Sequence, residues 1–308
     1  MVTTQPTTEN IRRWRLKRQL PLYLMLLPAV IGLILFHYYP MYGIIIAFQK
    51  YEPLLGFQRS PWVGLGQFKL LFSQPDIWDI MRNTVVIAVS KIIFGQVSSL
   101  VFALLLHEVR IAWFKRAIQS LSYVLHFLSW IIFGGMLLDV LASQGIINNA
   151  LNMLGFARVP FLTNASLFQP TMIGTEVWKE FGFGAVIYLA ALTGIDPTLY
   201  EAAAVDGASR WKRMIHITLP GIAPTIVLLA TLSLGGVLNA GFEQILVLYN
   251  PATYSTGDII DTYVYRAGLL GLQFSLGSAI GLLKGIISLI LISLSYYLAD
   301  RLAGYRIF

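Results

Sequence analysis

The chain has 308 residues, of which 56% are hydrophobic and only 12% charged, with a formal net charge of +7 and a mean hydropathy of +0.69. A soluble domain carries roughly 25% charged residues, so an ordinary water-soluble fold is excluded and most of the surface must be satisfied by lipid. The Lys and Arg residues sit in short runs between apolar segments, which argues against nucleic acid as a partner, and the absence of cysteine excludes disulfides, thiolate metal sites and cysteine nucleophiles.

Residues 1–20 form a basic segment that includes Arg12, Arg13, Arg15, Lys17 and Arg18. The uncharged run behind it, 19–49, is too long for a cleavable signal and has no small-x-small site after it. It reads as an uncleaved first span, 21–48, in which Pro28 and Pro40 predict a kink or an early end. Spans of about 20 apolar residues follow at 83–106, 117–141, 171–192, 222–249 and 279–299. Alternation of the β-barrel kind is absent over these lengths. The chain is therefore expected to be an all-α membrane protein of six transmembrane helices, with a core domain at 83–300 and a short tail at 301–308.

Orientation follows from charge. With the amino terminus inside, the inner segments hold thirteen Lys and Arg and the outer segments six, so both termini are expected in the cytoplasm. The outer loop 49–82 is amphipathic, with Trp62, Phe68, Phe72 and Trp78 placed for the interface or for an outside partner. Loop 143–170 is polar through Asn148, Asn149 and Asn152, and Asp139 before it reads as an interfacial cap. Lys91, Lys179 and Lys284 fall inside spans, with Glu180 and Glu243. On this topology they lie about 8–12 Å below the outer surface. Charges in hydrocarbon usually face a cavity or a partner. Together with Trp130, Trp178, Asn239 and Gln244 they predict a lined path suited to a sugar, the lysines matching a uronate carboxylate. The competing reading has Lys91 and Lys284 reaching the headgroups and the glutamates pairing with lysines for structure.

The segment 196–220, DPTLYEAAAVDGASRWKRMIHITLP, is the most informative. Asp196 suits an N-cap and Pro197 the first helical position, predicting a short helix to about Asp206. Ala202, Ala203 and Ala204 are strong helix formers with little bulk. Gly207 can take the left-handed conformation that turns the chain. A second, basic helix follows through Arg210, Lys212 and Arg213. Pro220 is expected to stop it and to push Leu219 towards an extended conformation. The result is a cytoplasmic helix–turn–helix, its small-faced helix suited to a groove on a cytosolic partner.

Glu201, Ala202, Ala203, then Gly207, then Ile217, Thr218, Leu219 and Pro220 stand at the full spacing of a known motif: the segment resembles the EAA loop of ABC importer permeases. The segments 62–72, 103–110 and 242–265 look like the carbohydrate-uptake branch. Within it they resemble the maltose-permease-type first subunit, in the subgroup serving alginate, rhamnogalacturonan and related acidic oligosaccharides. The large inserted external domain of the maltose permease is missing here.

The resemblance implies a type I ABC importer (MetI-like) transmembrane domain. Its EAA helices dock on an ATPase through Glu201, Ala202, Ala203, Gly207, Ile217, Leu219 and Pro220. It implies as partners a second permease subunit, two ATPase subunits and an extracytoplasmic solute-binding protein, with ATP and Mg²⁺ held by the ATPases. This chain carries no G-x-x-x-x-G-K-[ST] loop, and the GLLKG run at Gly281 does not fit one. His37, His107, His126 and His216 are scattered, and no H-E-x-x-H pattern or G-x-S-x-G elbow occurs. The chain is thus expected to be non-catalytic. An importer of a non-sugar solute remains the alternative; a secondary transporter would show an ion site and repeated halves.

Overall fold

A computed structural model describes the backbone of residues 8–303 and the side chains of residues 19–297 and Arg301. The basic side chains of the 1–20 segment up to Arg18, and all of the tail beyond residue 303, lie outside the described residues. Every regular element among the described residues is helical, apart from one isolated bridge between Gln49 and Trp62. Five stretches are long and apolar enough to cross a membrane, and Ala165–Thr193 makes a sixth together with its continuation Pro197–Val205, bent from it by 71°.

The first helix, α1 (Thr8–Leu33), stops at neither Pro21 nor Pro28. It continues through a wide π-turn, Ile34–Tyr38, closed by the Tyr39 N–H donating to the Ile34 carbonyl. A short turn and the 3₁₀ segment Tyr42–Phe48 complete the span. Pro40 therefore changes the pitch and does not end the helix, because the wide turn before it absorbs the ring and the missing N–H. The apolar side chains of this span point outward, Met25 being 79% exposed and Phe36 77%. Among the described side chains of this span only those of the last turns pack on the chain's own core, where Ala47 is fully buried against the final helix.

The other main helices are α2 (Ile77–Glu108), α3 (Ala112–Val124), α4 (Trp130–Leu141), α5 (Ala165–Thr193), α6 (Pro197–Val205), α7 (Leu219–Leu234), α8 (Phe242–Leu248) and α9 (Phe274–Ala303). The two long unbroken ones, α2 and α5, lie along each other and form the frame. Apolar clusters pin the rest to it. Ile87, Phe133, Leu137, Phe168, Met172 and Ile245 lock α4 and α8 onto α2 and α5. Ala103, Ala185, Tyr188, Leu192 and Ile222 close the end nearest residues 196–220.

Two of the expected spans are not continuous. The third is split: α3 ends in a 3₁₀ turn, Leu125–Phe127, Leu128 is extended, and Ser129 caps α4 by accepting from the Ile132 N–H. The fifth is split between α7 and α8 by turns around Gly235 and Gly236 and a left-handed Gly241 at φ 91°. Broken helices survive at membrane depth only where the freed backbone groups find partners. Asp139 lies exposed in the last turn of α4 and caps nothing. A helix carboxyl end presents carbonyls, which a carboxylate cannot satisfy. Buried Asn148 instead organises the following loop, donating to the Ala142 and Val159 carbonyls at 2.9 Å and accepting from the Val159 N–H at 2.7 Å.

Close approach of α3 to α5 depends on Gly182. A Cβ there would stand 2.6 Å from the Ser122 carbonyl oxygen and Cβ, while a Cβ on Gly174 of the same helix would meet nothing within 4 Å. Small residues let membrane helices approach in this way. Gly182→Ala is expected to destabilise the protein by about 1–3 kcal/mol and to lower the melting temperature of the purified complex, with Gly174→Ala unchanged. Equal melting of the two variants would show that the crossing is not tight.

Candidate functional site

The 196–220 segment is built by local rules. The Asp196 carboxylate accepts from the Thr198 N–H at 2.9 Å and so starts α6, with Pro197 in its first turn. That bond holds the Asp196 carboxyl below the usual carboxylate range, so its capping contribution persists above the ordinary carboxylate pKa and is lost as pH falls through the lowered value. The helix ends at Val205, Gly207 takes φ +72°, and the Ala208 N–H returns to the Ala203 carbonyl at 2.9 Å. Ser209 caps the short helix Arg210–Arg213. The Tyr200 and Thr218 hydroxyls, 2.9 Å apart, fasten the two helices together.

Pro220 does not stop the second helix. Arg210–Arg213 passes through a π-turn, Met214–Thr218, straight into α7, and Leu219 is helical at φ −62°, ψ −46°. The widened turn leaves room for the ring, and Pro220 sits in the first turn of α7, where its lost N–H costs least. The hairpin is thus continuous with a span, α7. Glu201, Ala202, Gly207 and Pro220 are exposed, while Ala203, Ile217 and Leu219 are half-buried. Leu199 at 51% and Val205 at 89% exposure flank Ala202 on the same helix. Sequence reading passed over these two; their spacing of three residues to either side of Ala202 was the available signal.

The membrane charges are organised around the two breaks. Lys91, buried on α2, donates to the Ala240 carbonyl at 2.7 Å, to Gln244 and to Glu176 at 3.2 Å. Gln244 in turn donates to the Met172 carbonyl and to Thr175, both at 2.8 Å. Lys179, buried on α5, donates to the His126 carbonyl at 3.1 Å and to Glu180 at 2.7 Å, and lies 5.3 Å from the centre of the Trp130 ring. The second Glu180 oxygen meets His126 Nδ1 at 2.6 Å, and the His126 ring stacks on Phe183 at 3.8 Å. In both places a lysine from an unbroken helix or its register satisfies a carbonyl freed by a break, and a glutamate of α5 balances the charge. Lys284 of α9 pairs with both Asp261 oxygens, at 2.6 and 2.8 Å, and reaches Asn239 at 3.2 Å.

Neither Lys91 nor Lys179 reaches for the headgroups. With α2 starting at Ile77 and α5 at Ala165, both lie near the middle of their helices, about 20 Å from the first residue. Trp178, Asn239 and Glu243 are exposed on the surface of the single chain, and Trp130, Glu180 and Lys284 are half-buried. Glu176, the counter-ion of Lys91, was missed in the sequence, although its place three residues before Lys179 puts both on one face of α5.

Six helical spans with a short helical hairpin between the fourth and fifth are the architecture of a transport permease. The family described as "Binding-protein-dependent transport system inner membrane component" matches residues 80–304. The chain belongs to this family. It is a multi-pass inner-membrane permease of an ABC importer, non-catalytic itself, that works in a complex with a solute-binding protein and ATPases. It is 45% identical over 289 residues to the polygalacturonan/rhamnogalacturonan transport system permease protein YteP of Bacillus subtilis (strain 168), covering 93% of this chain and 90% of that one. A chain of the crystal structure of a bacterial alginate ABC transporter in complex with alginate pentasaccharide-bound periplasmic protein superposes with a TM-score of 0.87 at 37% identity, covering 95% of this chain and 98% of that one. The methionine transporter MetNI shares the type I fold alone, at a TM-score of 0.53 and 19% identity over 75% of this chain.

Proposed function

We propose that this chain forms half of the membrane path for an acidic oligosaccharide cut from a polysaccharide, and that its 196–220 hairpin is the handle gripped by the ATPase. The exposure of Val205 carries the coupling reading. A valine 89% exposed at the tip of a polar hairpin is best satisfied by a groove on a partner. Around it, Glu201 supplies a charge for a basic residue of that partner, Ala202 and Ala203 permit close approach, and Gly207 makes the turn. Ile217, Leu219 and Pro220 pass the motion to α7.

The excess of Lys and Arg on the 196–220 side supports an arrangement with both termini and the hairpin in the cytoplasm. A second permease chain supplies the other wall of the path, two ATPase subunits sit beneath, and a solute-binding protein docks outside. On this reading Trp130, Trp178, Glu180, Asn239, Glu243 and Lys284 face the passing sugar, with aromatic surface for its rings and polar groups for its hydroxyls and carboxylates. Lys91 and Lys179 hold the walls in shape. The acidic cargo is supported by the relatives, one named for polygalacturonan and rhamnogalacturonan and one for alginate.

The test is the complete importer in proteoliposomes with its cognate binding protein. Galacturonate-containing oligosaccharides on the binding protein are expected to raise ATP hydrolysis and drive uptake. Stimulation by neutral oligosaccharides or amino acids alone would reject the acidic cargo. Uptake driven by an ion gradient without ATP would reject the coupling.

A further inference from the structure

Beneath the foot of α2, between it and the hairpin, lies a polar cavity of about 200 Å³ that the transport mechanism leaves unused. Arg110, Arg210 and Arg213 line it with His107, Tyr200 and Thr218; the one carboxylate on its wall is Glu108. Among the described residues, none of the three guanidiniums forms an ion pair. The Nε of Arg213 is buried with no hydrogen-bond partner, a costly state for a charged group unless something else fills the cavity. The location is as telling as the chemistry. α2 ends at Glu108, just after its apolar run 100–106. Trp113 and Trp211, exposed at 72% and 67%, are close in sequence to the lining residues, and such amphipathic rings favour the headgroup level.

We propose that this cavity binds the phosphate group of an anionic ester, delivered by a phospholipid headgroup of the adjacent leaflet. Guanidiniums match phosphate oxygens in paired hydrogen bonds, and basic pockets between spans at this level suit anionic headgroups. The Tyr200 and Thr218 hydroxyls spend one O–H on the bond between them, so the pair offers one further donor at most. Because Tyr200 belongs to α6 and Arg210 and Arg213 to the second hairpin helix, a bound phosphate ties the hairpin to the foot of α2.

The experiment uses the whole importer in nanodiscs of phosphatidylglycerol and phosphatidylcholine. Lipid retention is read by native mass spectrometry, and in pure phosphatidylcholine discs inorganic phosphate is titrated by thermal shift. Retained phosphatidylglycerol assigns the phosphate to the membrane; a shift with inorganic phosphate alone assigns it to the solution. Either outcome supports the site if Arg110→Gln/Arg210→Gln, both at exposed positions, weakens it roughly 30-fold while Lys115→Gln, outside the cavity lining, changes it less than twofold. Equal loss in all variants would mean a diffuse charge effect and overturn the proposal. So would unchanged binding of both probes in the double variant, including the case where that variant instead sheds the ATPase subunits, which would make the occupant a protein side chain.

Discussion

Val205→Asp and Glu201→Lys are each expected to cut ATP-driven uptake by 30-fold or more, leaving the amount of permease in the membrane unchanged. The magnitude follows from the cost of removing a central contact at an interface, about 2 kcal/mol or more. The structural cost to the chain itself is small, because both side chains are exposed and exposed substitutions usually stay within ~0.5 kcal/mol. The measurement pairs transport in proteoliposomes with copurification of the ATPase subunits. Full uptake with a firmly bound ATPase in both variants would remove the hairpin from the coupling path. Gly207→Val acts on the same segment by a different route. At φ +72° a β-branched residue costs on the order of 1–2 kcal/mol, so the hairpin is misdirected even though its docking face is chemically intact.

Lys91→Met is expected to give the largest loss of stability. It leaves Glu176, the Ala240 carbonyl and Gln244 Oε1 without the ammonium they share. Breaking a buried ion pair from one side costs about 3–5 kcal/mol, and here a freed backbone carbonyl at membrane depth adds to it. Removing the charge from both sides is far milder in general, so Lys91→Met/Glu176→Gln is expected to regain most of the lost melting temperature. The comparison separates structure from substrate contact. If Lys91 holds the break between α7 and α8, stability and uptake recover together in the double variant. If Lys91 touches the sugar, melting recovers and uptake does not. A single variant that melts like the parent would show the lysine to be idle.

The two buried lysines also explain why the sequence of each broken span looks continuous. At 235–241 the glycines gave a local signal. At 125–129 there is neither proline nor glycine, only Ser129 as a cap. That break is held from outside, by Lys179 on the His126 carbonyl, and no local propensity records a partner 53 residues away. Pro220 and Pro40 misled in the opposite direction. Each is a strong local stop signal, yet each follows a π-turn that accommodates it inside a packed helix.

What the sequence determined by itself is therefore what is local or summed over long windows. Hydropathy over about 20 residues places the spans. Capping by Asp196 and Pro197, the helical bias of three alanines and the left-handed freedom of Gly207 shape the hairpin within a dozen residues. Tertiary structure alone decided which distant charges meet, that Lys91 takes Glu176 and Gln244 from 85 and 153 residues away, and hence which of the membrane lysines are spent on the frame. A charge inside lipid must find a partner, but many are available in sequence; only the packing of α2 against α5 and α8 selects one, because burial makes every other pairing leave a polar group unsatisfied.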